Sequence, residues 1–367
     1  MRIAFATTLT LILAALAQGA ALAQEKAASE AGPDKAKGAP FIEGPVLAAP
    51  VASDGWNFVR SADEANAPDL AYGAYQRGFY LSAFKLALKR AELGDPAAQT
   101  LLAELYTRGY GVARDMVAAR EWYRLAADGG NAQAQFAYAS LLLQDDEARE
   151  PQSVEAQGLP GVDLAAVGAV ASTETALRRS ARLYMSRAAE AGLPRAQFNL
   201  AQMMVAERPS FAGFKKALPL YRKAATAGLP DAQYALASLL ANGSGMAAAN
   251  EKEARQWLTR AALSNFGIAQ VELGIWLANG RGGDARPKEA LSWFERAAAK
   301  GNVVAQNRLA RMHAWGVGTP VDPVRAGAWH VITKRQGFKD PEMDRRFEEY
   351  SEIDRKRAIE LANRVSP

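Results

Sequence analysis

Apolar and small residues return along this chain at i, i+4, i+5 and i+8. They do so in segments that open on Ala-Gln and read AQTLLAELY at 98–106, AQFNLAQMM at 196–204, AQYALASLL at 232–240 and AQVELGIWL at 269–277. That spacing lays one stripe along an α-helix, called helix A below. The Ala-Gln pair begins at Ala98, Ala134, Ala196, Ala232, Ala269 and Ala305, in steps of 36, 62, 36, 37 and 36 residues. A fixed period of this length is the signature of stacked helical repeats, in which no unit completes a core by itself. Small residues at i+5, such as Ala103, Ala201 and Gly274, allow close backbone approach.

A second pattern follows each of these helices. One large slot carries Leu86, Trp122, Tyr184, Leu220, Trp257, Trp293 and Trp329; an alanine sits three residues before each, and Gly or Asn265 eight residues after. This predicts a helix B in seven copies, each ended by a left-handed residue. The aromatic slot is read as core, a large side chain filling the notch left by a small one on the next helix. Asp95, Asn131, Asn250, Asn302 and Asp322 stand where first-turn N–H groups need an acceptor. Between A and B lie RGYGV at 108–112, NGSGM at 242–246, NGRGG at 279–283 and WGVGT at 315–319. They lack the Lys-Ser/Thr of a phosphate-binding loop, and no strand precedes them.

Residues 98–130, AQTLLAELYTRGYGVARDMVAAREWYRLAADGG, follow the pattern AxxxLGxxYxxGxGVxxDxxxAxxWxxxAAxxG. The unit resembles the Sel1-like repeat, a relative of the tetratricopeptide repeat. The resemblance implies an all-α fold, an α-solenoid wound as a right-handed superhelix of about seven helix-turn-helix repeats over 69–340. It also implies a concave face, lined mainly by helix A, that binds other proteins. Exported bacterial members resemble envelope regulators and adaptors, so the implied partner is an envelope protein such as a sensor kinase or a biosynthetic complex. The unit from Arg195 departs from the pattern, with Glu207-Arg208-Pro209-Ser210 in place of the Gly turn. The first unit keeps only Tyr72 and Tyr75 of a shortened helix A, as an N-terminal cap would. A polar helix over 341–367, with Phe347, Tyr350, Ile353, Ile359 and Leu361 on one side, reads as the C-terminal cap.

The 62-residue step contains an insertion, 144–174, between a helix A ending near Leu143 and a helix B starting near Thr175. It opens on Asp145 and Asp146, read as solvated, and closes on a short apolar stretch at 164–170. Long insertions in solenoids either carry function or are tolerated loops. The other candidate partner-binding residues are the helix A positions that differ between units: Asn199, Gln202, Ser238, Glu272, Arg308 and Arg311. Phe136, Phe198 and Tyr234 form an aromatic row at equivalent positions, either a peptide-binding strip or packing between adjacent helices A. The glutamine of Ala-Gln, identical in six copies, is read as a structural hydrogen bonder.

The ends of the chain change the picture. Arg2, the apolar run at 3–16 and Ala21-Leu22-Ala23 predict an export signal over 1–23, cleaved before Gln24, and hence a periplasmic protein. No later apolar run is long enough for a membrane span. Residues 24–68 are rich in Ala, Pro and Gly, the composition of a disordered leader, interrupted by Trp56, Phe58 and Val59, which are assigned to packing on the first helix or to docking.

Charge and chemistry exclude more than they suggest. The net charge of +5 comes from 44 basic and 39 acidic residues with no basic block, so nucleic acid is not an expected partner. The chain has no cysteine, which removes disulfides, thiolate zinc sites and thiol catalysis. Its two histidines are His313, in the large slot of helix A, and His330, after Trp329. No GxSxG motif occurs. The expectation is a non-enzymatic scaffold with no cofactor, no metal and no catalytic residue. Binding of peptidoglycan or polysaccharide is the alternative. A weak β-lactam hydrolase is a remoter one, because the secreted relatives that suggest it are stapled by cysteine pairs.

Overall fold

The computed structural model describes residues 69–149, 175–207, 211–242 and 250–365. The export signal, the leader with Trp56, Phe58 and Val59, and the part of the insertion at 150–174 lie outside the described residues. Sixteen helices and no strand occur among the described residues. In chain order they are α1 Leu70–Gln76, α2 Tyr80–Glu92, α3 Pro96–Arg108, α4 Met116–Asp128, α5 Ala132–Arg149, α6 Ala176–Glu190, α7 Pro194–Glu207, α8 Phe211–Thr226, α9 Pro230–Asn242, α10 Glu251–Leu263, α11 Gly267–Asn279, α12 Pro287–Ala298, α13 Val303–Trp315, α14 Pro323–Arg335, α15 Pro341–Glu348 and α16 Glu352–Val365. The first fourteen alternate as A and B. The architecture is an all-α solenoid of repeats.

The chain forms two compact units, divided at Met203 and Met204. In the first, each helix from α1 to α6 packs on the next. Its core joins Leu102, Leu105, Trp122 and Tyr123 to an alanine framework. In the second, α8 to α14 pack successively, and α15 and α16 close on α14. Met343 and Tyr350 join Ala310, Ala314 and Ala326 in one buried cluster there, and Ala362 packs with Ala328 and Ile332 in another.

The helix A stripe is buried as the spacing requires. Leu102, Leu236 and Leu309 at i+4 and Ala103, Ala201 and Ala310 at i+5 are buried. Position i+7 is buried as well, through Leu105, Trp276 and Met312, while Tyr106, Met204 and Leu240 at i+8 are only half-buried. In the helix B slot Trp122, Trp257 and Trp293 are buried, whereas Leu86, in the first unit, is exposed.

The recurring glutamine has a single task. Gln99, Gln135, Gln197, Gln233, Gln270 and Gln306 are all buried. Each donates its Nε2 to the carbonyl eight residues earlier, those of Ala91, Ala127, Ala189, Ala225, Ala262 and Ala298, at 3.1–3.3 Å. These carbonyls belong to the last turn of the preceding helix B, where each also accepts from the N–H of the left-handed residue that ends the helix, at 2.9–3.1 Å. The Ala-Gln step therefore fastens each unit to the end of the one before.

The second glycine of the Gly turn also joins neighbouring units. A Cβ at Gly318 would lie 2.5 Å from the carbonyl carbon and oxygen of Pro287, at the start of α12. Gly111 meets Leu81 and Tyr80 in the same way at 2.7 Å, and Gly282 meets Glu251 at 2.4 Å. Only a residue without a side chain lets the turn rest on the previous helix B.

Two expectations about boundaries are corrected. Helix A of the third unit does not end near Leu143 but runs to Arg149. Asp146 is consequently on a helix and 3% exposed, not in a solvated loop. It accepts hydrogen bonds from Thr175 Oγ1 and Arg178 Nε at the start of α6. A buried carboxylate needs such donors, and here they tie the two edges of the insertion together. The C-terminal cap, expected as one helix over 341–367, is two, α15 and α16, broken at Ser351. Ser351 accepts from the Asp354 N–H and donates to the Asp354 carboxylate, 2.7 Å away, a capping pair that starts a new helix. The break turns the second half of the cap over. Met343, Tyr350, Ala358 and Ala362 are buried, while Ile353 and Ile359 are exposed.

Candidate protein-docking positions on helix A

In the first unit the site residues read from the sequence scatter. Asn199 and Gln202 are half-buried on α7, and Phe136 is half-buried on α5. Phe198 is buried. Asp145 is paired with Arg120 at 2.7 Å, within the helix packing. Asp146 is enclosed as described above. A partner could reach Phe198 or Asp146 only by opening the fold over them, so both are withdrawn as direct contacts.

In the second unit three of them meet. Tyr234 on α9 lies beside Ser238 of the same helix and Glu272 of α11. Its phenol is raised above its ordinary range, first by burial and then by the Glu272 carboxylate. The ring packs 5.5 Å from that of Phe266. Tyr234 and Ser238 are buried, and both are corrected from contact positions to packing. Glu272 remains partly exposed. The aromatic row is not an open strip: burial of Phe198 and Tyr234 leaves no continuous aromatic surface.

Arg308 and Arg311 come together with residues that sequence reasoning had not grouped. A cleft of about 360 Å³ opens over α11 and α13. Its walls are Ile275, Ala278 and Asn279 from α11, Phe294 from α12, Met312 and Trp315 from α13, Val317 after it and Glu342 from α15, with both arginines. Arg311 is fixed. Its guanidinium bonds Asp340 at 3.0 and 3.2 Å, pairs with Glu342 and lies 4.8 Å over the Trp315 ring. Asp340 also accepts from Asn307 at 2.9 Å and from the Met343 N–H at 3.1 Å. Burial opposes ionisation of Asp340, but these donors outweigh it and hold the carboxyl below its ordinary value. Arg308 is exposed and makes no hydrogen bond or ion pair with any described residue. The sequence signal for this cleft was available: Trp315 follows Arg311 by one helical turn, and Arg308 precedes it by another.

The histidines serve the interior. His313 and His330 are 3% and 2% exposed. Burial lowers the pKa of both below the ordinary 6.5, against an opposing pull from Asp322 on His313 and from Asp344 on His330. His330 Nε2 lies 3.2 Å from Asp344 Oδ1 without the alignment of a hydrogen bond. No group of three metal-ligating side chains occurs among the described residues, and no described helix is long and apolar enough to cross a membrane.

The sequence model of the Sel1 repeat matches residues 96–131, 178–193, 194–229, 230–266, 267–302 and 303–337. The chain belongs to the Sel1 repeat family. No protein with a curated description matches it. Among solved structures, it is similar to a protective antigen of uropathogenic Escherichia coli strains with an SLR fold, at 22% identity and a TM-score of 0.58. That match takes in 83% of this chain and 62% of the antigen, so this chain spans under two thirds of the antigen's length. It is also similar to a Sel1 repeat protein from Oxalobacter formigenes, at 23% identity and a TM-score of 0.55, over 75% of this chain and all of the other. At these identities the likeness speaks for the fold.

Proposed function

We propose that this protein is an exported, non-enzymatic scaffold that binds another protein of the cell envelope through the outward positions of helix A. One observation carries the reading: the polar residues of helix A divide into two sets. The glutamine that recurs in six units is buried against a neighbour's carbonyl. Of the positions that differ between units, Asn199, Gln202, Glu272, Arg308 and Arg311 retain exposure, and Ser238 alone of that set is buried. Variation at exposed positions on a fixed framework is how a repeat protein acquires one partner. The export signal expected over residues 1–23 supports a partner in the periplasm.

A second reading, binding of peptidoglycan or polysaccharide, is favoured by one feature. Trp315 is 40% exposed beside the cleft and could stack on a sugar ring.

Photoreactive residues at Gln202, Glu272 and Arg308, with Arg296 on helix B as control, test the proposal in living cells. The expected result is one envelope protein captured from the helix A sites and not from Arg296. Co-sedimentation with purified sacculi and no protein captured would favour the glycan. Saturable β-lactam hydrolysis lost with a single residue would overturn the non-enzymatic reading.

A further inference from the structure

We infer that the cleft of the second unit takes a carboxylate-bearing segment of the partner protein, with Arg308 pairing with the carboxylate and an adjacent apolar side chain entering beside Trp315 and Met312. This rests on the reading of the chain as a protein-binding scaffold and names the chemistry of its site.

Charge decides the sign. The cleft holds two arginines and one carboxylate, and the carboxylate of Glu342 is already paired with Arg311. Arg311 is further neutralised by Asp340. That leaves Arg308 as the one uncompensated charge on the walls, at an exposed position where its guanidinium can turn toward a ligand. A planar guanidinium fits a carboxylate with two parallel hydrogen bonds. A cation entering here would meet Arg308 and find Glu342 occupied. A polyanion would find a single free arginine and no second one to hold it.

The remaining walls select an apolar neighbour. Ile275, Ala278, Met312 and Val317 contribute carbon surface, and Phe294 lies against Gly274, where a Cβ would come 2.7 Å from the ring. The volume of about 360 Å³ is toward the small end of ligand sites, which run from about 300 to 1,000 Å³. It suits one or two side chains of an extended segment better than a folded surface. Asp340, Glu342 and Trp315 hold Arg311 in place, so the wall beside the free arginine, one turn along α13, is already ordered before binding. Less conformational freedom is then lost when the segment docks.

A synthetic array of random hexapeptides, each made with a free and with an amidated C-terminus, tests this with the full chain and with Arg308→Glu. The expected selection is Asp, Glu or a free C-terminal carboxylate next to Leu, Ile, Met or Phe. Binding of the selected peptides should fall at least about tenfold when the carboxylate becomes an amide, and should weaken with salt. The Arg308→Glu chain, whose thermal unfolding should match the parent because the site is exposed, should select Lys or Arg in the same position. Selection without an acidic position, the same selection by Arg308→Glu, or no selection at all overturns the inference. The scaffold reading fails separately, by the in-cell capture described above: a protein caught from Gln202 or Glu272 with no carboxylate preference on the array would sink this site alone.

Discussion

Gln336 Nε2 lies 3.0 Å from Gln306 Oε1 and completes the hydrogen bonding of a side chain whose own Nε2 already holds the Ala298 carbonyl. Lys300 Nζ serves Gln270 in the same way at 2.9 Å. Both donors occupy the residue just before the left-handed Gly301 or Gly337 that ends helix B. In the unit between α9 and α10 that position is Ser264, followed by Asn265 at φ 67°. Serine is too short to do the same, and the Gln233 oxygen is buried without a partner.

Ser264→Gln should therefore stabilise the protein. Satisfying a buried acceptor is worth about 1 kcal/mol, which for a unit of this size raises Tm by about 2–4 °C. The gain should vanish in a Gln233→Met background. Thermal unfolding followed by circular dichroism reads both. An unchanged or lower Tm for Ser264→Gln would show that the Gln233 oxygen is satisfied in solution.

Two glycines separate backbone strain from close packing. Gly301 has φ 81° with nothing within 4 Å of an added Cβ, whereas Gly318 has φ 71° and meets Pro287 at 2.5 Å. Gly301→Ala should cost about 1–2 kcal/mol from the left-handed backbone alone. Gly318→Ala should cost about 1–3 kcal/mol more, because the turn must lift off α12. Urea unfolding measures the difference, and equal midpoints would deny the contact between units.

Stability should fall in mild acid through the two histidines. Their folded pKa values lie below the ordinary 6.5, because burial disfavours the charged ring. The unfolded chain therefore binds protons that the folded chain refuses as pH drops through 6.5. The stability they protect is fully present above that value and is lost below it, down to the folded pKa. The loss is at most about 1.4 kcal/mol per pH unit for each ring. The charged neighbours are Asp322, Arg325 and Glu295 around His313 and Asp344, Lys334 and Asp340 around His330. Asp340 and Asp344 are held below 3.8, so their own loss comes at lower pH and does not overlap. His330→Leu should roughly halve the slope of unfolding free energy between pH 6.5 and 5. An unaltered slope would assign it to other groups.

The repeat was legible because its signals are local. The A and B stripes, the caps at Asp95, Asn131 and Asn302 and the left-handed Asn265 follow from residues within one turn of each other. What escaped depends on partners far along the chain. Asp146 reads as a solvated acid until Arg178, 32 residues on, is placed beside it. Tyr234 looks alike in spacing to exposed positions, and it is the ring of Phe266 in the next repeat that packs on it. The cap break at Ser351 was local and readable, since Ser351 and Asp354 stand at capping spacing, but the apolar spacing of Ile353 and Ile359 pointed to the opposite face. The cleft needs three helices and the cap at once, so Arg308, Arg311 and Trp315 on α13 could be grouped from sequence while the walls from α11, α12 and α15 could not.

The central claim is that the recurring polar residues build the stack while the varying ones bind. One paired measurement tests it most directly: thermal stability and in-cell capture of the partner for Gln135→Met and for Arg308→Glu. Gln135 donates to the Ala127 carbonyl at 3.2 Å in the first unit. The account predicts that Gln135→Met lowers Tm, through about 1 kcal/mol for the lost hydrogen bond between repeats, and keeps its capture below that Tm. It predicts that Arg308→Glu keeps its Tm and loses its capture. Capture that survives Arg308→Glu, or that is lost in folded Gln135→Met, would contradict it.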